Sequence, residues 1–347
     1  MTVSAIFGNF TTYQTTMSQE EHILIFGELL LRFSSTGQAF IKDENLARVF
    51  VGGAEANAAA SLGRWGVPCA YLSRIPDNAL AAQALAELER RGVDTSHVLR
   101  GGDRLGQYFL LSADGLSKGE VVYDRKYSSF SDLRPGMIDW ETVLRSYTRF
   151  HWTALTPALN PHMAGVCAEA LQTARKLGLS ISVDLNYRNR LWDFGKEPIE
   201  VMPELVSQCD VVMGNIWAAG KMLGIAVSDG LERSTPPVVY REEAARSAAL
   251  LMGAFPNCRH VAYTFRFMDN PAHNLFYGTY HQKNGNFNSA VYETTSVVDR
   301  IGSGDAFMAG LLFALCTGKT GQEVIDLATA AGYKKLFVAG DFGDGAI

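Results

Sequence analysis

The residues best equipped for chemistry lie late in the chain. Asp299-Arg300-Ile301-Gly302-Ser303-Gly304-Asp305 is followed at once by an apolar run over 306–316 that fits a helix. Glycines at 302 and 304 permit backbone angles closed to other residues and let an anion approach the main chain. The start of the following helix adds unpaired N–H groups and the positive end of a dipole. Asp305 is expected inside that cradle, placed to take a proton from an attacking hydroxyl while the amides of Gly302, Ser303 and Gly304 hold a moving phosphoryl group. The same residues also read as a glycine-rich turn with Asp305 as a helix cap. They are not a Walker loop, which needs G-K-[ST], and they lack the dinucleotide pattern G-x-G-x-x-G.

A second segment, Gly52-Gly53-Ala54-Glu55-Ala56-Asn57, opens an alanine-rich stretch over 54–65. Paired glycines let the main chain meet a polyol closely, and the Asn57 amide offers a donor and an acceptor to hydroxyls. It reads equally as tight packing of a helix on a sheet.

Positioning these groups requires a scaffold, and the pattern supplies one. Short apolar strands are predicted at 23–26, 70–73, 150–154, 180–184, 210–213 and 260–265. Helices are predicted at 54–65, 78–91, 162–177, 242–252, 306–316 and 322–337. In the helix at 78–91, Asn78 is the expected N-cap, Gly92 the stop, and Leu80, Ala84, Leu85 and Leu88 the apolar face. Alternating β and α units predict an α/β fold with a mostly parallel sheet covered on both faces. Two β-type runs at 105–111 and 120–127, with Asp114-Gly115 between them, predict a hairpin. With 38–51 they form a small separate sheet, either an edge feature or a lid over a site at the strand ends. The stretch 228–240, with Pro236-Pro237, predicts a surface loop, and 1–21 a loose polar extension without the features of a secretory signal.

Composition sets the outer bounds. Of 347 residues, 47% are hydrophobic and 19% charged, which excludes intrinsic disorder. Lys+Arg is 31 against Asp+Glu at 36, a net charge of -5, so no general attraction for nucleic acid is expected. Cys69, Cys167, Cys209, Cys258 and Cys316 are isolated and lack C-x-x-C spacing, which predicts buried thiols in a reducing compartment and neither disulfides nor a zinc site. No run of 18 apolar residues appears, so no membrane span is expected and the cytoplasm is the default address.

The two glycine-containing segments, in this order and one near each end of the chain, resemble the PfkB (ribokinase-like) carbohydrate kinase family. They match its G-G-x-x-x-N and D-[TP]-x-G-A-G-D elements, and the resemblance spans about 23–342. Within the family the chain is most similar to 2-keto-3-deoxygluconate (KDG) kinases. Phe26-Gly27-Glu28, Arg104-Leu105-Gly106-Gln107-Tyr108-Phe109, Tyr123-Asp124-Arg125-Lys126-Tyr127-Ser128 and Asp184-Leu185-Asn186-Tyr187-Arg188 carry that likeness.

The resemblance implies a ribokinase-like three-layer α/β/α sandwich over 22–347 with a small β-sheet lid, whose segments are about 38–51 and 104–128. It implies an ATP-dependent sugar-acid kinase that uses Mg2+ and acts on the 6-hydroxyl of KDG, with Asp305 as base and a homodimer formed through the lid. Gly52, Gly53, Asn57, Tyr108, Tyr123, Arg125 and Arg188 are then the sugar-acid residues, with the two arginines suited to a carboxylate. Asn215, Thr264 and Arg266 approach the nucleotide. Three departures stand out: Arg300 replaces the usual Thr or Pro, Ala218 stands at the glutamate of N-x-x-E, and Arg266 at the glycine of T-x-G. The residues that hold magnesium are therefore left unassigned. A fructokinase- or ribokinase-like kinase, or a sugar-acid binding protein with impaired catalysis, is the alternative; a dehydrogenase is disfavoured because Gly27-Glu28-Leu29 lacks the glycine pattern.

Overall fold

The computed structural model describes residues 21–35, 40–41, 46–111, 120–270 and 273–346. The predicted extension, most of the 38–46 stretch and the Asp114-Gly115 turn lie outside the described residues. The chain begins with β1 (Ile23–Phe26), β2 (Leu30–Ser35), β3 (Ala47–Gly52), α1 (Ala54–Arg64), β4 (Cys69–Leu72), β5 (Arg74–Ile75) and α2 (Ala79–Glu89). There follow β6 (Leu99–Arg100), β7 (Gly106–Leu110), β8 (Val121–Asp124), α3 (Trp140–Leu144), β9 (Arg149–Thr153), α4 (Pro161–Lys176), β10 (Ser180–Asp184) and α5 (Met202–Val206). The remainder is β11 (Val211–Gly214), α6 (Ile216–Leu223), α7 (Pro237–Ala254), β12 (His260–Asn270), β13 (His273–Gln282), β14 (Gly285–Asn288), β15 (Tyr292–Thr294), α8 (Ser303–Cys316) and α9 (Gln322–Lys335).

Among the described residues the main sheet runs β14-β13-β12-β11-β10-β9-β1-β4, with β15 also paired to β13. It is parallel from β4 to β12 and antiparallel beyond. Alternation along β1 sends Leu24 and Phe26 into the core beneath α3, α4, α6 and α7. Ile23 and Ile25 enter the opposite core, beneath α1, α2, α8 and α9. A strand buried on both faces reads as a continuous apolar run, which is why these strands were legible. The expected three layers are present, and the five cysteines are buried and unpaired. No helix among the described residues is long and apolar enough to cross a membrane.

Four sequence expectations need correction. On α2, Asn78 does cap the helix, accepting from the Ala81 amide at 2.9 Å, and Gly92 is left-handed. Leu80, however, is 51% exposed, and Ala81 joins Ala84, Leu85 and Leu88 in the core. The i, i+3, i+4, i+7 phase therefore starts one residue later. The stretch 228–240 is not all loop, because Pro237 starts α7 at a position where a missing N–H costs nothing. The strand predicted at 260–265 continues to Asn270, and β13, β14 and β15 extend the sheet beyond it. Finally, the small sheet has order β3-β2-β7-β8. Its central strand β2 follows β1 after only three residues and was hidden as a continuation of one apolar run. The sheet projects where β1 ends, because β2 and β3 intervene between β1 and α1.

Candidate active site

In a parallel sheet all strands end along one edge, and that edge collects the candidate residues. Thr153 and Asp184 end β9 and β10, Glu28 lies two residues past β1, and Asn215 follows β11. Helices α1 and α8 start at this edge, which brings the two glycine-containing segments together. Asn57 Nδ2 donates to Asp305 Oδ2 at 2.6 Å, across 248 residues of chain. The other Asn57 amide atom, Oδ1, is buried and has no hydrogen-bond partner among the described residues. A buried acceptor left open in this way points toward a donor supplied by a ligand.

The glycines are fixed by steric demand. Gly302 is left-handed with φ 84°, and a Cβ there falls 2.2 Å from the Asp341 carbonyl oxygen. Gly53 has φ 122°, and a Cβ there falls 2.2 Å from the Glu28 carbonyl oxygen. Gly52 abuts the Asp341 carboxylate, while the space above Gly304 is open. Ser303, Gly304 and Asp305 form the first turn of α8, whose amides have no place in the helix ladder.

Burial raises the affinity of the Asp305 carboxylate for a proton, and Asn57, Arg188 and Lys335 offset part of that rise. A carboxylate whose affinity for a proton is raised in this way suits a general base. Two further buried acids stand close by. Asp184 is pushed up to about 7 by burial and then by the charge of Asp305. Glu55 is pushed up to about 7 by burial, against the hydrogen bond from Thr153.

Glu55 gives a pH prediction. Its folded value lies above its unfolded value, so the stability it contributes is present below about 4.5 and is lost as pH rises through about 7. The expected loss is about 3 kcal/mol. Glu55→Gln keeps the acceptor for Thr153 but does not titrate. Urea unfolding at pH 5 and pH 8 should show the variant gaining on wild type at the higher pH; a difference independent of pH would contradict the account.

The sequence-predicted substrate residues line the small sheet and the strand ends. Tyr108 and Tyr123 face each other across β7 and β8 with ring centroids 6.3 Å apart. The Tyr108 hydroxyl donates to Asp341. Tyr123 packs on Ala54, Leu155, Ala158 and Leu191. Arg125 is buried, its Nε on Glu28 Oε2 at 2.6 Å, and Ser128 donates to the same carboxylate. Its charge is thus balanced within the protein. Arg188 is exposed, bonded through Nη1 to the Tyr187 carbonyl at 3.1 Å, and its charge is felt at both Asp305 and Asp184.

The nucleotide-side residues sit on the neighbouring strands. Asn215 caps α6, accepting from the Ala218 amide at 2.8 Å, and Thr264 donates to the Gly214 carbonyl at 3.4 Å. Arg266 Nη1 donates to Ser303 Oγ at 2.9 Å. Ala218 is buried in the first turn of α6 and puts no acid there. No group of three His, Cys, Asp or Glu that could hold a metal occurs among the described residues.

Sequence reasoning missed one cluster altogether. Arg32, in β2, grips Asp299 through both Nη atoms at 2.6 and 3.3 Å and lies 2.8 Å from Asp341 through Nε. Its guanidinium covers the Phe50 ring at 4.5 Å. Asp341 is pushed up to about 6 by burial, against the pull of Arg32. Lys335 closes the cluster from the end of α9, bonded to the Val338 carbonyl at 2.9 Å. This knot ties the small sheet, the turn before α8 and the C-terminal loop together behind Gly52 and Gly302. The available signal was Asp341 beside Gly340 in a short glycine-rich tail.

Comparison with known proteins shows the family of the chain. The sequence model for pfkB family carbohydrate kinases matches residues 21–239 and 275–341. A 2-dehydro-3-deoxygalactonokinase from Haloferax volcanii is 27% identical, with 92% of each chain covered. A 2-dehydro-3-deoxygluconokinase from Bacillus subtilis is 24% identical over 91% of this chain and 90% of its own. The crystal structure of a 2-dehydro-3-deoxygluconokinase from Thermotoga maritima is 32% identical and superposes with a TM-score of 0.84, covering 93% of this chain and 96% of its own.

Proposed function

The chain belongs to the pfkB family of carbohydrate kinases, and we propose that it transfers the γ-phosphoryl group of Mg-ATP to the 6-hydroxyl of KDG. The observation that carries this reading is the Asn57–Asp305 contact at 2.6 Å, which joins a polyol-binding amide to a base at a helix start. Asp305 takes the hydroxyl proton while the sugar oxygen forms its bond to the γ-phosphorus. The bond from that phosphorus to the β,γ-bridging oxygen breaks, and ADP leaves with the electron pair. The first-turn amides of α8 and the positive end of its dipole stabilise the charge on the moving group. Magnesium enters as part of the Mg-ATP substrate.

Asn57, with its open Oδ1, and the Gly52–Gly53 main chain are suited to the sugar hydroxyls. Tyr108 and Tyr123 wall the pocket, with the small sheet acting as its lid. Arg188 faces the carboxylate of the acid, since Arg125 already carries Glu28. The relatives' names support the class of acid, and they include both a galactono- and a gluconokinase. Arg188→Ala should raise KM for KDG by about 10–100-fold, the worth of a charge-assisted hydrogen bond, and leave KM for ATP nearly unchanged. Equal rises in both would count against carboxylate recognition.

Labelled phosphate transfer from ATP to KDG, 2-keto-3-deoxygalactonate, fructose and ribose tests the substrate assignment. The acids should be preferred by kcat/KM. Preference for a neutral sugar would make this a fructokinase- or ribokinase-like enzyme, and binding of KDG without ADP release would make it a binding protein.

A further inference from the structure

Two non-glycine residues among those described have positive φ, Tyr127 at 58° and Asn186 at 25°. Such backbone persists where its surroundings over-determine it, and it gathers at functional sites. The two residues lie on segments that meet at the outer edge of the small sheet, and the phosphoryl transfer described above uses neither.

Tyr127 belongs to a turn fixed from several sides. Arg125 and Ser128 both bond to Glu28, and Arg104 Nη1 donates to the Lys126 carbonyl at 3.0 Å. The Lys126 side chain stands out from this turn, 73% exposed. Asn186 opens the opposing segment, 185–197, which holds neither helix nor strand. Turn bonds shape it, from the Leu191 amide to the Arg188 carbonyl at 3.1 Å and from the Asp193 amide to the Leu191 carbonyl at 2.9 Å. Arg188 makes no ion pair among the described residues, so its place depends on where this segment is anchored.

The anchors lie on β8 and the turn that follows it. Arg190 Nη1 donates to the Val121 carbonyl, on the edge strand, at 2.9 Å. Lys126 Nζ donates to Asp193 Oδ2 at 2.8 Å. Between these two bridges Tyr123 and Trp192 pack on one apolar cluster of Ala54, Leu155, Ala158 and Leu191. Tyr123 is a wall of the sugar pocket, and Arg188 stands one turn bond from Leu191, so a single fastening sets both.

We propose that Lys126 and Asp193, with Arg190, are positioning residues for the sugar acid: they fasten segment 186–193 to the edge of the small sheet, so that Arg188 and Tyr123 meet the substrate in register. The inference rests on the reading of Arg188 as the carboxylate ligand. It gives these exposed side chains a role in sugar-acid affinity without contact to the substrate.

Steady-state kinetics on the full chain, with KDG and ATP varied in turn, tests this through charge reversal. Lys126→Glu and Asp193→Lys each replace an attraction by a repulsion, and each should raise KM for KDG by about 5–30-fold while KM for ATP stays within about twofold. The sign at Asp193 separates fastening from the general field. A lysine there adds positive charge near an anionic substrate, which by itself would lower KM. The double variant, Lys126→Glu with Asp193→Lys, should return KM for KDG to within about twofold of wild type. An Asp193→Lys variant with lowered or unchanged KM, or a double variant no better than the singles, would overturn the positioning role. Arg188→Ala tells the two levels apart: if it raises KM for KDG while Asp193→Lys does not, the fastening alone fails, and if Arg188→Ala leaves KM unchanged, the carboxylate reading fails with it.

Discussion

Asp305→Asn is expected to lower kcat by about 10²–10⁴-fold, the usual contribution of a positioned base, while KM for KDG stays within about threefold. The substitution is a clean one. Its amide oxygen still accepts from Asn57, whose donor sits 2.6 Å from the carboxylate in the native protein. The shape of the α8 start and the glycines that support it remain, so substrate should still bind. What disappears is the group whose proton affinity burial has raised. Steady-state kinetics with both substrates varied checks it. Full activity in the variant would remove Asp305 from the role of base, and a large rise in KM with unchanged kcat would recast it as a binding residue.

Arg32→Leu should destabilise the protein by about 3–5 kcal/mol, because it leaves buried carboxylates without their cation. Arg32 is 1% exposed and balances both Asp299 and Asp341. Those acids support opposite sides of the site: Asp299 accepts from the Gly340 and Ile301 amides, and Asp341 fills the space next to Gly52 and Gly302. Loss of the knot should therefore loosen the glycine cradle as well as the fold. Urea unfolding at neutral pH measures the first effect. A loss under about 1 kcal/mol would show that the cluster carries no more weight than a surface ion pair.

How much of this was legible beforehand depends on what each residue's neighbours in sequence could reveal. The α8 cradle was readable because glycine, glycine and aspartate stand within four positions ahead of an apolar helix. The α1 segment was readable for a similar reason. Their meeting was not, because a contact across 248 residues is a property of strand order, and local pattern does not carry it. Arg32 was invisible for the opposite reason. It stands between apolar residues in β2, where alternation reads an arginine as solvent-facing; only the presence of Asp299 and Asp341 makes its burial tolerable.

Arg125 was singled out by motif, but its pairing with Glu28 was not legible, and that pairing changes what its charge can offer to a ligand. Asn215 was likewise singled out by motif, while its service as the cap of α6 depends on where β11 ends. The error at Leu80 has a simpler origin. Leucine and alanine fit either side of a helix, and one residue of phase decided which was buried.

The most direct test of the central claim is the identity of the product. Phosphorus and proton NMR of the mixture formed from ATP and KDG should show ADP and a phosphate ester on the 6-oxygen of the acid, and Asp305→Asn should form it at least about 100-fold more slowly. ADP formed without any sugar ester, or an ester formed equally fast by both proteins, would contradict the account.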